Sequence, residues 1–349
     1  MLLGGIYMLE STWFILWGLL WIGYFILDGF DLGVGILMPF ISRNEQEKQI
    51  VMHSIGPFWD GNEVWLIAAG GVTFAAFPAA YAALFSGLYT ALMLLLFGLI
   101  IRGVSVEFRS QLNNRTWRST WDAGIFIGSF LPALLLGVAF ANIFKGLPID
   151  ANAIYQGTFL GLLNIYGILG GILFILLFLT HGAIWLCIKT SGDLQARSAS
   201  LASKLWVALV VAVILFLLAS IVYTNIFSNY LLHPWLFVIL LLAVGGILGI
   251  RMYIASQRWF AAWISSALSI ASAAMLGLAG IYPAIIPSSL NPGYSLTISN
   301  SSSSTLTLSI MLGVALVFVP IVILYQLWSY KRFSHTVTAE SIEQDEAFY

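Results

Sequence analysis

Residues 205–225 read LWVALVVAVILFLLASIVYTN, an unbroken stretch from Leu205 to Asn225 with no charged side chain. About 20 predominantly apolar residues carry an α-helix across the roughly 30 Å hydrocarbon layer of a bilayer. Inside that layer the backbone must satisfy its own hydrogen bonds, and a run this uniformly apolar does so as a helix. Working outward from it, comparable runs lie near 11–38, 51–75, 80–101, 121–143, 160–187, 234–254, 260–281 and 305–329. Together they predict an all-α polytopic membrane protein of about nine transmembrane helices. Composition agrees, with 60% hydrophobic and 8% charged residues and a mean hydropathy of +0.96. A soluble domain needs about 25% charged residues to solvate its surface.

The breaks between runs are turn-like or charged, as at Ser42-Arg43-Asn44, Phe77-Pro78, Arg115 to Arg118, His233-Pro234 and Pro287-Ser288-Ser289. Under the nine-span reading, thirteen of the 14 Lys and Arg residues fall on one side: Arg43, Lys48, Arg102, Arg109, Arg115, Arg118, Lys189, Arg197, Lys204, Arg251, Arg258, Lys331 and Arg332. Lys145 alone falls on the other. Basic residues collect on the cytoplasmic side, so the N-terminus is expected outside and the C-terminus inside. No Lys or Arg precedes the first apolar run, which therefore reads as a span and not as a cleaved leader.

Residues 1–332 form a single expected transmembrane domain, and 333–349 a solvated cytoplasmic tail bearing Glu340, Glu343, Asp345 and Glu346. The longest outer loop, Tyr282 to Thr305 with its Ser299–Ser304 stretch, reads as flexible surface. Glycines four apart, at Gly29/Gly33, Gly124/Gly128, Gly167/Gly171 and Gly245/Gly249, predict close helix crossings. Spans 1–4 and 5–8 run as a parallel repeat, with Asp28-Gly29 in one where His181-Gly182 stands in the other. The expected arrangement is two four-helix bundles plus a peripheral ninth helix.

An ionisable side chain inside a span costs several kcal/mol and faces protein or water (about 3 kcal/mol on insertion scales). Asp28 and Asp31 lie three apart on span 1 and share a helix face. Asp60 and Glu63 repeat that spacing on span 2, in the setting Trp59-Asp60-Gly61-Asn62-Glu63-Val64-Trp65, with His53-Ser54 upstream. The loop between these spans is short, so their acidic faces are expected to converge on one polar seam in the inner half of the membrane. Asp28 is expected to face Asp60, with Asp31 the more superficial acid. Isolated acids at such positions cap helices or satisfy backbone breaks near Gly29, Gly33 and Gly61. Two such pairs on adjacent spans favour a hydrated path for protons or cations. Arg102 ends span 3, where it either snorkels to the interface or contacts an anionic group such as a propionate or a partner carboxylate. Asp122 begins span 4 and reads as a charge complementing the helix dipole.

His53 and His181 are the histidines near membrane depth, and they make no facing pair of the kind bis-histidine haem ligation needs. His181 reads as a satisfied core residue. The single Cys187 excludes an internal disulfide and a thiolate cluster. No metal site and no cofactor are expected on this chain, and a net charge of -1 argues against nucleic acid as a partner. Two function classes survive: a stand-alone proton-coupled transporter, or the cofactor-poor subunit of a larger energy-converting enzyme.

Asp28-Gly29-Phe30-Asp31-Leu32-Gly33-Val34-Gly35, followed by Trp59-Asp60-Gly61-Asn62-Glu63-Val64-Trp65-Leu66-Ile67, resembles subunit II of cytochrome bd-type quinol oxidases. So do WDAGIFIGSF at Trp121–Phe130 and PAIIPSS at Pro283–Ser289. The resemblance implies a bacterial or archaeal inner-membrane terminal oxidase that oxidises quinol, reduces dioxygen to water and builds a proton gradient. It implies that haem b, haem d and the quinol site belong to subunit I, with which this chain would pack. A small single-helix accessory subunit, membrane lipid and a structural quinone are further associations of the family. It also implies a proton path through Asp60, and next through Asp28 and Asp31, with Glu63, Trp59 and His53 beside them.

Overall fold

The computed structural model describes residues 2–338 together with Glu340 and Ile342, with side chains from Tyr7 onward. Its helices are α1 (Leu2–Ile41), α2 (Glu45–Ile55), α3 (Trp59–Ala76), α4 (Pro78–Gly87), α5 (Tyr89–Phe108), α6 (Arg115–Lys145), α7 (Ile165–Lys189), α8 (Gly192–Tyr223), α9 (Phe227–Leu232), α10 (Phe237–Ala255), α11 (Trp259–Ile281), α12 (Ile298–Ser301) and α13 (Thr305–Arg332). Among the described residues, eight helices are long and apolar enough to cross a membrane: α1, α5, α6, α7, α8, α10 with its short lead-in turn, α11 and α13. The run expected at 51–75 divides instead. The amphipathic α2 ends at Ile55, and α3 begins at Trp59. Pro57, which has no N–H to offer, sits in the gap. The polar first turns of α3 keep it out of the eight. The run expected at 80–101 is likewise two helices, α4 and α5, and α5 continues past Arg102 to Phe108.

The long α1 packs against α3, α6, α7 and α11, with lighter contact to α13. Trp13 and Trp17, one turn apart, pin it on one face. The Trp13 indole N–H donates to the Leu308 carbonyl on α13 at 3.0 Å, and that of Trp17 to Thr73 Oγ1 on α3 at 2.8 Å. The most extensive pairings in the bundle are α10–α11, α7–α8, α5–α6 and α6–α7. The crossing of α1 and α7 is set by glycine. A Cβ on Gly33 would lie 1.9 Å from the Phe178 carbonyl oxygen, and one on Gly182 would lie 2.7 Å from the Val34 nitrogen. The Gly245/Gly249 expectation is corrected here: Gly245 faces open space, and Gly246 with Gly249 meets α11 at Ser265 and Ser269. Helix α13 is the most peripheral, with Leu308 its one buried side chain.

The Tyr282–Thr305 loop is not the flexible surface that its serines suggested. Strand β1 (Ala284–Ile286) pairs antiparallel with β2 (Leu296–Thr297). A capping box between Thr297 and Asn300 then starts α12. The Ser303 N–H reaches the Ala76 carbonyl and the Leu147 N–H that of Pro287, both at 2.9 Å, so the loop caps the bundle. At the opposite, basic end, Lys189 Nζ donates to the carbonyls of Phe333 and His335. The Val337 N–H returns to the Lys189 carbonyl at 2.8 Å. Of the expected tail, residues 339, 341 and 343–349, with Glu343, Asp345 and Glu346, lie outside the described residues.

Candidate functional site

Asp28, Asp31, Asn62 and Arg102 are all buried where α1, α3 and α5 meet. One nitrogen of Arg102, Nη2, donates to Asp28 Oδ1 at 2.6 Å and to Glu63 Oε1 at 2.5 Å. Asp31 Oδ2 accepts from Asn62 Nδ2 at 2.7 Å, and the same amide nitrogen donates to the Leu27 carbonyl at 3.0 Å. Asn62 Oδ1 in turn accepts from Gln326 Nε2 at 2.9 Å and from the Tyr330 hydroxyl at 3.0 Å, both on α13. Trp65 closes the chain by donating to Gln326 Oε1 at 2.8 Å. Five buried atom positions here have no hydrogen-bond partner among the described residues: Asp28 Oδ2, Asp31 Oδ1, the Tyr24 hydroxyl, and Nε and Nη1 of Arg102. Glycine again makes the geometry feasible. A Cβ on Gly128 of α6 would lie 2.6 Å from the Arg102 nitrogen, so only a glycine lets α6 lie this close to α5.

Two carboxylates, Asp28 and Glu63, thus share one guanidinium in a site largely closed to water, with Asp31 held beside them by Asn62. A buried ion pair is held only when its geometry and remaining hydrogen bonds are good, because each desolvated charge costs several kcal/mol. Here the cation is shared and two acids are in excess.

Several expectations are corrected by this geometry. Arg102 does not snorkel, since its side chain is 3% accessible and the anionic groups it contacts are this chain's own Asp28 and Glu63. Asp31 is fully buried and not the superficial member of its pair. Asp28 is paired through Arg102 with Glu63 and not with Asp60. Asp60 is exposed on the flank of α3, where it lines a lateral cavity of about 1010 Å³ with Trp59, Trp65, Glu107, Gln326 and Tyr330. Trp59 lies across Gly103 of α5, 3.3 Å from where a Cβ would be. His53 lies on α2, beyond the Gly56-Pro57 break, with Nδ1 at 2.8 Å from the Gln49 carbonyl. Asp122 is an ion-pair partner and not simply a dipole charge, accepting from Arg109 Nε at 2.5 Å and from Lys48 Nζ at 2.6 Å.

Those contacts belong to a lock at the basic end. Arg109 also grips Glu45 of α2. Burial works against its charge, but the bonds to Asp122 and Glu45 outweigh that and raise its pKa. Glu47 of α2 pairs with Arg197 of α8 at 2.6 Å. Burial alone would raise the Glu47 carboxyl, yet the Arg43 N–H and the Arg197 guanidinium more than offset it and hold it below the ordinary 4.5. Helix α2 is therefore tied to both α5–α6 and α8.

His181 is fully buried, its Nδ1 2.5 Å from Ser266 Oγ and its Nε2 3.1 Å from the Ile26 carbonyl. With both ring nitrogens engaged and Trp263 stacked on the ring at 4.9 Å, it does not fit the part of a haem axial ligand. Sequence reading missed Asn62, Gln326 and Tyr330 as members of the site. The available signal was Gln326 and Tyr330 standing four apart, on one helix face, at the end of an otherwise apolar run.

The family model for cytochrome bd terminal oxidase subunit II matches residues 9–333. The chain is 37% identical over 371 residues to the cytochrome bd-I ubiquinol oxidase subunit 2 of Escherichia coli (strain K12), covering 97% of each. It is 37% identical over 333 residues to the cytochrome bd ubiquinol oxidase subunit 2 of Bacillus subtilis (strain 168), covering 94% of this chain and 97% of the relative. Its fold matches a chain of the bd oxidase from Geobacillus thermodenitrificans with a TM-score of 0.73 at 18% identity, over 92% of this chain and 98% of that one.

Proposed function

Because the chain belongs to the cytochrome bd terminal oxidase subunit II family, we propose that it conducts protons to the oxygen chemistry of a quinol:oxygen oxidoreductase whose haems b and d are held by subunit I. Reduction of one dioxygen to two waters takes four electrons, from two quinols, and four protons. The protons need polar groups and water to cross hydrocarbon. The observation that carries the reading is the buried cluster of Asp28, Asp31 and Glu63 around the single Arg102. Three carboxylates against one guanidinium leave negative charge that bound protons can neutralise, and the exposed Asp60 stands one helical turn from Glu63 on the lateral cavity. Relatives named as oxidase subunits set the stand-alone transporter aside.

The basic end is taken as cytoplasmic. Protons pass from the lateral cavity to Asp60, to Glu63, and on through water beside the Arg102 bridge to Asp28 and Asp31, since the guanidinium itself has no acceptor for an arriving proton. A carboxylate exposed at membrane depth does not face lipid without large cost. The α3–α13 flank bearing Asp60 is therefore where subunit I, with which the path is shared, covers this chain. The spans form two four-helix bundles, α1, α3, α5, α6 and α7, α8, α10, α11, with α13 outside them. Purification in mild detergent through a tag on this chain tests the assignment. Co-purifying b- and d-type bands in the reduced-minus-oxidised spectrum are expected, and their absence from a stable preparation refutes it.

A further inference from the structure

Asn62 spends every hydrogen-bonding position it has. Its carbonyl oxygen accepts two donors from α13, Gln326 Nε2 at 2.9 Å and the Tyr330 hydroxyl at 3.0 Å. Its amide nitrogen gives one proton to Asp31 Oδ2 at 2.7 Å and one to the Leu27 carbonyl at 3.0 Å. Oxygen and nitrogen of an amide have nearly the same shape, so only the partners decide which faces Asp31. Leu27 offers an acceptor from one side and α13 two donors from the other. The Tyr330 ring is held in turn, its centroid 4.6 Å from that of Phe58 and 6.0 Å from that of Trp185.

We infer that Tyr330 and Gln326 are positioning residues of the proton path, fixing the Asn62 amide so that it donates to Asp31 Oδ2 and confines any proton on Asp31 to Oδ1. The inference rests on the proposed path and adds α13 to it. Oδ1 makes no hydrogen bond to a described residue, so a proton there is not committed within the Asn62 network and is the one that an incoming acceptor can take. Were the amide turned over, its oxygen would face Asp31 Oδ2 and retain a proton in a hydrogen bond. The charged and titratable groups around Asp31 are Asp28 and Tyr24 on α1, Glu63 on α3, Arg102 on α5 and Tyr330 itself on α13. His181, which approaches from α7, is already bound to Ser266 and Ile26.

The test uses the purified oxidase complex and infrared difference spectra recorded across pH. The Asp31 carboxyl band is identified as the one that Asp31→Asn removes. Tyr330→Phe keeps the ring on Phe58 and deletes the hydroxyl, while Gln326→Met deletes the other donor. Either change releases the amide and weakens one hydrogen bond to the carboxylate, so the midpoint of the band is expected to rise by roughly one pH unit with haem content retained. An unmoved midpoint in both variants overturns the inference, as does loss of haem with an unmoved midpoint, which is the mark of a packing role. If no band is removed by Asp31→Asn, Asp31 carries no proton and the inference fails with it. The path reading is judged separately, by whether Asp31→Asn lowers turnover per haem.

Discussion

Replacing Arg102 by methionine keeps the unbranched stem of the side chain and removes, among the described residues, the one cation paired in a site with three carboxylates. Asp28 is 0% accessible and 2.6 Å from the guanidinium, while Glu63, at 22%, retains some water. Removing one partner of a buried pair costs about 3–5 kcal/mol, because the other charge is stranded. The stranded acid has an escape, which is to take a proton. From an ordinary value near 3.9, protonation at pH 7 costs about 4 kcal/mol at 1.36 kcal/mol per unit, which caps the loss in the same range. Adding Asp28→Asn removes the stranded charge, so the double variant is expected to recover most of the loss. Chemical denaturation of the purified complex, run as a double-mutant cycle, reads the coupling directly. A single variant costing below about 1 kcal/mol, or a double variant no better than the single, would refute the shared-cation account.

The α1–α7 crossing predicts that Gly33→Ala, whose Cβ would lie 1.9 Å from the Phe178 carbonyl, sharply lowers the yield of assembled complex. Gly245→Ala, which meets open space, should leave yield unchanged, and equal yields would contradict the crossing. The Glu47 clasp gives a pH dependence. Its carboxyl is held below the ordinary 4.5, so its contribution is present above that value and is lost as pH falls through the lowered one. Hydrogen exchange of the α2 amides should therefore accelerate selectively in acid, and in Arg197→Gln already at neutral pH. Reporter fusions within 299–304 should behave as exported and fusions after Arg115 as cytoplasmic, and the reverse pattern would invert the proposed orientation.

Much of this fold can be read from single residues, because lipid punishes misplaced charge. The long apolar runs follow from transfer energies alone. The acidic pairs on α1 and α3 stood out for the same reason. What was not legible depended on how the helices rotate against one another. Spacing put Asp60 and Glu63 on one face, but a separation of three leaves them far enough apart in angle for α1 to cover Glu63 and leave Asp60 at the flank. Arg102 looked like a terminal anchor because the apolar run stops at 101, whereas α5 continues to Phe108 and carries it into the interior. Neither Gln326 nor Tyr330 could be tied to Asp31, nearly 300 positions away, without the packing of α13 on α3. The Ser-rich loop misled for a related reason: its hydroxyls cap and cross-link, as Ser288 does to Ile149 at 2.6 Å, where composition suggested solvent.

Asp60 offers the most direct test of proton conduction, because its side chain lies outside the buried ion-pair cluster and its loss need not disturb the fold. Asparagine there keeps size and hydrogen bonding but exchanges no proton near neutral pH. Quinol oxidase turnover of the purified Asp60→Asn complex, normalised to haem d, is predicted to fall at least about tenfold while haem content stays at the wild-type level. Unchanged turnover per haem, with proton uptake intact, would remove Asp60 from the path and contradict the account.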